Sequence, residues 1–134
     1  MNPNLDLVRG MYRAFGTGDI PALLAACDPD ISWRVVGNPE QATFFGQRHG
    51  RDGVLDFVQQ LVSALSDIVN TPQQFHALDD KVFVSGNDSA TARSSGKRFS
   101  IDWLHVFTIR NGLVCEFVEY YDTASIVAAL GQQP

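Results

Sequence analysis

Residues 113–130, with the sequence LVCEFVEYYDTASIVAAL, contain the pattern that decides the fold. From Leu113 to Val118 the side chains alternate between the two faces of a predicted β-strand. The same register continues to Glu119, so that a carboxylate takes a place among apolar side chains. A buried carboxylate is costly without a partner, and we therefore expect a cavity, and not a solid core, opposite Glu119.

Asp122 ends this strand and directly precedes TASIVAAL, residues 123–130, which we predict to be a short helix. Aspartate is favoured before a helix because its carboxylate accepts hydrogen bonds from the free N–H groups of the first turn. We therefore interpret Asp122 as a helix cap, and Glu119 as the better candidate for a catalytic acid or base.

Three helices are predicted before the strands. Apolar residues recur at helical spacing over Leu5–Phe15, and the sequence GTGD ends this helix. In the second helix Asp19 suits the cap and Pro21 suits the first turn. ISWRVV, residues 31–36, reads as a short strand, and after a long loop Gly53–Ser66 has the wide apolar face of a third helix.

After Pro72 the apolar residues recur with a period of two, which is typical of strands. The candidate strands are QQFHAL, KVFVSG, SATARSS, RFSIDWLHVFTI and LVCEFVEYY. Helices first and consecutive strands last predict an α+β fold, with the helices on one face of a curved, mostly antiparallel sheet. With no linker or repeat to divide it, residues 1–134 are expected to form a single domain.

Charge and hydropathy exclude several classes of partner. The formal net charge is −5, and the ten lysine and arginine residues are scattered, so a nucleic-acid surface is not expected. No apolar run is long enough to cross a membrane, and the first residues have no signal-peptide pattern. We expect a soluble, cytoplasmic protein.

Histidine and cysteine spacing gives no metal motif. His49, His76 and His105 stand far apart, without an HxH, HExxH or CxxC pattern. Cys27 and Cys115 fall in a predicted helix and a predicted strand, where a small core residue is the simpler interpretation. We therefore expect neither a metal ion nor another cofactor.

The turn IRNGLV, residues 109–114, can be closed in two ways. A two-residue Asn-Gly turn would place Ile109 opposite Val114 and His105 opposite Val118. Because a slip of one residue exchanges the faces of a strand, Glu119 and His105 would then lie on opposite sides of the sheet.

A three-residue turn would instead place His105 opposite Phe117 and Trp103 opposite Glu119. We prefer it because it separates polar from apolar side chains better, with His105 and Glu119 as the only strongly polar members of one face. The apolar members of that face would be Ile101, Trp103, Phe107, Ile109, Leu113, Cys115, Phe117 and Tyr121.

In that register His105 and Glu119 are diagonal neighbours within reach of each other. Such a pair suits acid–base catalysis, with Glu119 as the base and His105 as a donor or as the residue that orients it. The alternative is that the two side chains only satisfy each other's hydrogen bonds.

The other face of the same strands presents Leu104, Val106, Val118 and Tyr120. An apolar sheet face that no helix covers is commonly buried against a second copy of the chain, so we expect a homodimer through this face. The alternative is a half-exposed sheet with scattered apolar residues.

Three segments in this order resemble the nuclear transport factor 2-like superfamily, in its SnoaL-like and ketosteroid-isomerase-like bacterial branch. The segments are YRAFGTGDIPALLAACDPDISW, FFGQRHGRDGVLDFVQQL and LHVFTIRNGLVCEFVEYYDTASIVAAL. The resemblance implies a cone in which three N-terminal helices close over a strongly bent sheet around a deep pocket, usually in a homodimer. Members include isomerases, dehydratases, cyclases, epoxide hydrolases, binding proteins and protein-docking subunits, so the fold alone does not assign a reaction.

The resemblance to ketosteroid isomerases carries over in part. Their acidic hydrogen-bond donor matches the position of His105, a polar residue of another type. Their catalytic base would fall near Val35 and their oxyanion tyrosine near Met11, and neither group stands there. The resemblance therefore does not imply steroid isomerisation.

Limonene epoxide hydrolases and SnoaL-like cyclases give a second comparison. The hydrolases carry aspartates matching Glu119 and near Asp88, but their arginine would fall at Gly86. Their tyrosine and asparagine would fall at Trp33 and Val35, so the same mechanism is not implied. The cyclases place acid–base groups on these final strands, which is similar to the predicted placement of His105 and Glu119.

Aromatic residues predict an apolar lining for the pocket. Together with two polar groups they suit a mostly apolar ligand with a carbonyl or hydroxyl group. We hypothesise a cofactor-free enzyme of isomerase, cyclase or dehydratase type acting on a small hydrophobic oxygenated molecule. The alternatives are a ligand-binding protein without catalysis and a protein-interaction module. The expected lining residues are Tyr12, Phe15, Trp33, Phe44, Phe57, Trp103, Phe117 and Tyr121.

Overall fold

The first two helices begin at polar caps. The computed structural model describes residues 2–131; residue 1 and residues 132–134 of the predicted domain lie outside the described residues. Helix α1 spans Pro3–Thr17, and Asn2 caps it by accepting from two backbone N–H groups. Helix α2 spans Ile20–Ala25 behind the predicted cap Asp19. Helix α3 spans Gly50–Ala64, about three residues earlier than its apolar pattern predicted.

Six strands form one sheet. They are β1 (Cys27–Val35), β2 (Gly46–His49), β3 (Leu65–Leu78), β4 (Lys81–Ala92), β5 (Arg98–Arg110) and β6 (Leu113–Tyr121), and helix α4 (Thr123–Ala129) follows. The sheet order is β2-β1-β6-β5-β4-β3, and all neighbours are antiparallel except β1 and β6. The predicted α+β class, with helices against a curved sheet, is confirmed.

Strand assignments from the sequence were wrong at several places. KVFVSG and SATARSS are parts of one strand, β4, because polar Asn87 and Asp88 continue the ladder between them. Strand β2 lies in a segment predicted as loop, where GQRH has no apolar alternation to reveal it. Strand β3 begins at Leu65, directly at the end of α3 and well before Pro72.

The β5–β6 hairpin follows neither predicted register along its whole length. Asn111 and Gly112 both have positive φ, 55° and 77°, as a two-residue type I′ turn requires, and Ile109 pairs with Val114. A shift between Thr108 and Ile109 then changes the pairing.

Beyond this shift His105 pairs directly with Glu119, and Trp103 pairs with Tyr121. The expectation that His105 and Glu119 share a face is therefore correct, but a bulge produces it, and the two residues are opposite and not diagonal. Cys115 is the extra residue of the bulge, so Val114 is buried in the core face where Leu113 and Cys115 were expected.

The two faces of the sheet differ in cover. The inner face of β5 and β6 is buried with the helices, whereas the predicted outer patch includes Leu104, 39% exposed, and Tyr120, 43% exposed. Phe83 pairs with Val106, and Val106 pairs with Val118, which extends this apolar patch over three strands.

In residues 2–131 we find no helix with both the length and the apolar composition that a membrane crossing needs. The cytoplasmic location expected from the sequence stays a prediction.

Gly86 allows the Trp103 indole to lie against β4, and its substitution tests this close approach. A Cβ at Gly86 would lie 2.5 Å from the Thr71 carbonyl oxygen and 2.5 Å from the Trp103 ring. Gly86→Ala should therefore lower the free energy of unfolding by about 1–3 kcal/mol, as overpacked cores do. Urea denaturation would measure it.

Gly16→Ala is the matched control, because Gly16 lies in α1 with no atom within 4 Å of an added Cβ. It should raise the free energy of unfolding by about 0.5–1 kcal/mol. Equal effects of the two substitutions would contradict the close approach at Gly86.

Candidate functional site

A cavity of about 90 Å³ lies between the helices and the inner face of the sheet. One water molecule needs roughly 10–15 Å³ on this measure, so the space suits several waters or a small ligand. Most of its wall is apolar, and polar groups enter it from α1, β3, β4, β5 and β6. Seven of the eight predicted lining residues line it: Tyr12, Phe15, Trp33, Phe44, Phe57, Phe117 and Tyr121.

Trp103 is the predicted lining residue that the structure places elsewhere. Its indole stacks on the His105 ring, with centroids 3.7 Å apart and planes 10° from parallel. Its Nε1–H donates to Asp88 Oδ1 at 2.9 Å. Trp103 therefore supports two polar side chains of the wall from behind and does not face the space itself.

Tyr12, His105 and Glu119 form one hydrogen-bonded chain in the wall. The Tyr12 hydroxyl lies 2.6 Å from His105 Nδ1, and His105 Nε2 lies 2.7 Å from Glu119 Oε2. His105 and Glu119 are each only 6% exposed. Helix α1 supplies the tyrosine, while the directly paired strands β5 and β6 supply the other two, so three elements meet at one point.

The chemistry of the acceptor fixes the proton positions when Glu119 is ionised. A carboxylate has no proton to give, so His105 Nε2–H must be the donor to Glu119. In a neutral imidazole the other nitrogen then accepts, and the Tyr12 O–H donates to Nδ1. Glu119 Oε1 has no hydrogen-bond partner among residues 2–131, so it is the oxygen that remains for a ligand.

Asp88 brings a second carboxyl group to the cavity. Its Oδ1 accepts from Asn70 Nδ2 at 2.7 Å and from the Trp103 indole. Burial, followed by the nearby charge of Glu119, raises the pKa of Asp88 from 3.8 to about 6, although the two hydrogen bonds oppose this rise. The wall thus holds two carboxyl groups in different environments.

The two cavity tyrosines are kept in the protonated form. Burial, followed by the charges of Glu119 and Asp88, raises the pKa of Tyr12 and of Tyr121 above the ordinary phenol value. Their hydroxyl groups therefore act as neutral hydrogen-bond donors or acceptors and not as phenolates.

Two buried donors of the wall have no protein partner within the described part of the chain. They are Trp33 Nε1 and the Tyr121 hydroxyl. Trp33 is 5% exposed and its ring stacks on Phe117 with centroids 4.0 Å apart. Since buried polar groups are nearly always hydrogen-bonded, both are places where a bound molecule can contribute.

The remaining candidates can be placed one by one. Asp122 is a helix cap, as predicted: it accepts from the Ser125 N–H at 3.1 Å, and its hydrogen bonds to Ser125 lower its pKa. The isomerase tyrosine was matched to the position of Met11; the next residue, Tyr12, carries a hydroxyl into the wall. Sequence reasoning missed the partnership of Asn70 with Asp88, because no short-range pattern links β3 to β4.

Residues 2–131 contain no cluster of three or more histidine, cysteine, aspartate or glutamate side chains with the arrangement of a metal site. The expectation that no metal or cofactor takes part stays a prediction.

Comparisons with known proteins support the fold and the resemblance. The family model of the SnoaL-like domain matches residues 8–117. A nuclear transport factor 2-like protein of unknown function from Burkholderia pseudomallei is 28% identical, with a TM-score of 0.91 over 97% of this chain and 98% of that one. A nuclear transport factor 2-like protein from Burkholderia xenovorans is also 28% identical, with a TM-score of 0.84 over 96% and 95%.

TerC, co-crystallised with polyporic acid, is 22% identical, with a TM-score of 0.89 over 98% of this chain and 100% of its own. At that identity the likeness shows the fold alone. No curated protein matches the sequence.

The raised pKa of Asp88 predicts a pH-dependent contribution to stability. Between the ordinary value of 3.8 and about 6, the folded protein keeps a proton on Asp88 that the unfolded chain has lost. The stabilisation of the folded state by protonated Asp88 is therefore fully present below about pH 4 and is lost as the pH rises through about 6. The free energy of unfolding should fall by on the order of 1–3 kcal/mol over this range.

Asp88→Asn keeps an acceptor for Trp103 and removes the titration. Urea denaturation of both proteins from pH 4 to pH 7 measures the effect. The free energy of unfolding of the wild type, relative to that of the variant, should fall across this range. A constant difference would show that Asp88 titrates normally.

Proposed function

The chain belongs to the SnoaL-like domain family, and from this premise we propose that it binds a small, mostly apolar, oxygenated molecule and moves a proton within it. Glu119 is the base, His105 positions it, and the reaction needs no cofactor. The observation that carries the proposal is the Tyr12–His105–Glu119 hydrogen-bonded chain in the wall of an apolar cavity.

Proton transfer begins at the free oxygen of Glu119. Oε1 takes a proton from a C–H bond beside a carbonyl group of the ligand, and the electron pair of that bond moves onto the carbonyl oxygen as an enolate. Return of the proton to another carbon completes an isomerisation. Loss of a hydroxyl group from the next carbon, which takes the proton from Glu119 and leaves as water, completes a dehydration. One first step therefore serves several of the reaction types expected for the family.

His105 acts through Glu119 and is a positioning residue. Its Nε2–H holds Oε2 at 2.7 Å, which leaves Oε1 as the carboxylate oxygen that is free to react with the ligand. The Trp103 indole on one side and the Tyr12 hydroxyl at Nδ1 fix the imidazole in turn. A base held in one orientation loses less conformational freedom when it reacts.

Asp88 is the matching acid. Because its pKa is raised to about 6, a fraction of Asp88 keeps its proton near neutral pH, while Glu119 is the acceptor of the His105 N–H. Two carboxyl groups whose environments differ in this way suit the separate roles of acid and base. Asp88 would return a proton to the ligand after Glu119 has removed one.

We also propose that a second copy of the chain covers the outer apolar patch formed by Leu104, Val106, Val118 and Tyr120. The patch continues across β4, β5 and β6, and the cation of Arg34 lies 5.8 Å from the Tyr120 ring at its edge. Sedimentation velocity on the purified protein decides between a dimer and a monomer, and a monomer at high concentration would refute the proposal.

The proton-transfer step can be tested without the natural substrate. 2-Indanone is a small apolar ketone whose CH₂ groups beside the carbonyl exchange with solvent when a base is present. In D₂O the wild type should accelerate the loss of these proton signals in NMR. Glu119→Gln should reduce the protein-dependent rate by about 100-fold or more, because it removes the base and keeps the volume.

Glu116→Gln is the matched control, since Glu116 is an exposed carboxylate on the same strand, outside the cavity. It should exchange protons at the wild-type rate. If the wild type binds 2-indanone without accelerating exchange, the chain is a binding protein for such molecules. Polyporic acid, the molecule co-crystallised with TerC, is a second probe of binding. If polyporic acid and 2-indanone both fail to bind, the cavity does not bind small, mostly apolar, oxygenated molecules.

A further inference from the structure

Tyr121 places an unused hydrogen-bond donor in the cavity. Its hydroxyl is buried and has no partner among residues 2–131. Leaving a buried donor unpaired costs free energy, so a protein gains nothing from such a group unless something else satisfies it. Trp33 Nε1 is in the same condition in the same wall, which gives the cavity two free donors among apolar side chains.

The position of Tyr121 relates it directly to Glu119. The two residues are separated by one position on β6, so they project from the same face about 7 Å apart along the strand. Tyr121 also pairs across the sheet with Trp103, whose indole holds Asp88. The charges of Glu119 and Asp88 both raise the pKa of Tyr121, so its hydroxyl lies within electrostatic reach of both carboxyl groups.

Tyr12 does not fill this role. Its hydroxyl hydrogen points to His105 Nδ1 when the imidazole is neutral, so it is already committed. Tyr121 has the opposite condition, since its phenol stays protonated and its hydrogen is committed to no protein atom in the described chain. Of the two cavity tyrosines, Tyr121 is the one with a hydrogen to give.

We propose that Tyr121 is a catalytic residue whose hydroxyl group donates a hydrogen bond to the carbonyl oxygen of the ligand, while Glu119 removes a proton from the adjacent carbon. The inference rests on the proposed function and specifies its substrate class: an apolar ketone or enone with a C–H bond beside the carbonyl group. As Glu119 accepts the proton, negative charge develops on the oxygen that Tyr121 contacts. A donor that is already in place then stabilises this charge without reorganisation.

The competing interpretation gives Tyr121 a structural role, with a bound water molecule satisfying its hydroxyl. The two interpretations differ in what Tyr121→Phe does to the free protein. A hydroxyl that waits for a ligand is dispensable without one, so the variant should unfold at the wild-type temperature or above it. If the hydroxyl is structural, its removal should lower the unfolding temperature. Tyr12→Phe provides the comparison, because it leaves buried His105 Nδ1 without its partner and should lower the unfolding temperature.

Two matched probes test the contact with the ligand. 2-Indanone and 2-methyleneindane have nearly the same shape, but only the ketone has an acceptor oxygen. Calorimetric titration should show that the wild type prefers the ketone by roughly tenfold, and that Tyr121→Phe loses this preference. Tyr120→Phe, the same substitution on the outer face, should keep it.

Deuterium exchange into 2-indanone provides the catalytic readout. Tyr121→Phe should lower the protein-dependent exchange rate on the order of 100-fold, as removal of an oxyanion donor does, although Glu119 is intact. If exchange depends on Glu119 but is unchanged in Tyr121→Phe, the inference is overturned and the proposed function stands. If the wild type binds neither probe, the ligand class and the inference fail together.

Discussion

The site depends on the hydrogen bond between His105 Nε2 and Glu119 Oε2, 2.7 Å long and buried on both sides. A carboxylate in an apolar wall needs a donor, and an imidazole there needs an acceptor, so each side chain makes the other tolerable. The bond exists because a bulge at Cys115 moves the β5–β6 pairing by one residue and brings the two directly opposite. Without the bulge Glu119 would face the outer side of the sheet, and the cavity would lose its base.

Supporting contacts extend outward from that bond and are built from aromatic side chains. Trp103 both stacks on His105 and donates to Asp88, so one indole links the hydrogen-bonded pair of His105 and Glu119 to the carboxyl group of Asp88. Gly86 makes room for that indole, because a Cβ at this position would collide with the Trp103 ring. The polar groups are thus held by packed rings, and the space in front of them stays free for a ligand.

The sequence predicted the faces of the elements better than their pairing. Alternation along β5 and β6 was enough to group His105 with Glu119 and to separate Leu104 and Tyr120 from them. Successive side chains of a strand point to opposite faces, so a buried face selects apolar residues at every second position. The bulge could not be recognised from this alternation. A two-residue turn at Asn111 and Gly112 followed by a bulge places nearly the same side chains on the inner face as the three-residue turn that we expected. Seven of the predicted aromatic residues line the cavity. The place of Trp103 and the Asn70–Asp88 contact depend on neighbouring strands, which spacing within one strand does not reveal.

The protonation of the His105 ring tests the central claim most directly. Long-range ¹H–¹⁵N correlations of protein labelled with ¹⁵N-histidine report which ring nitrogen carries the proton, at a pH where the ring is neutral. The account predicts a proton on Nε2 and an accepting Nδ1 whose ¹⁵N shift changes in Tyr12→Phe. A proton on Nδ1 would contradict it, because Glu119 would then have to donate to the ring and would not be the free carboxylate that the proposed reaction requires.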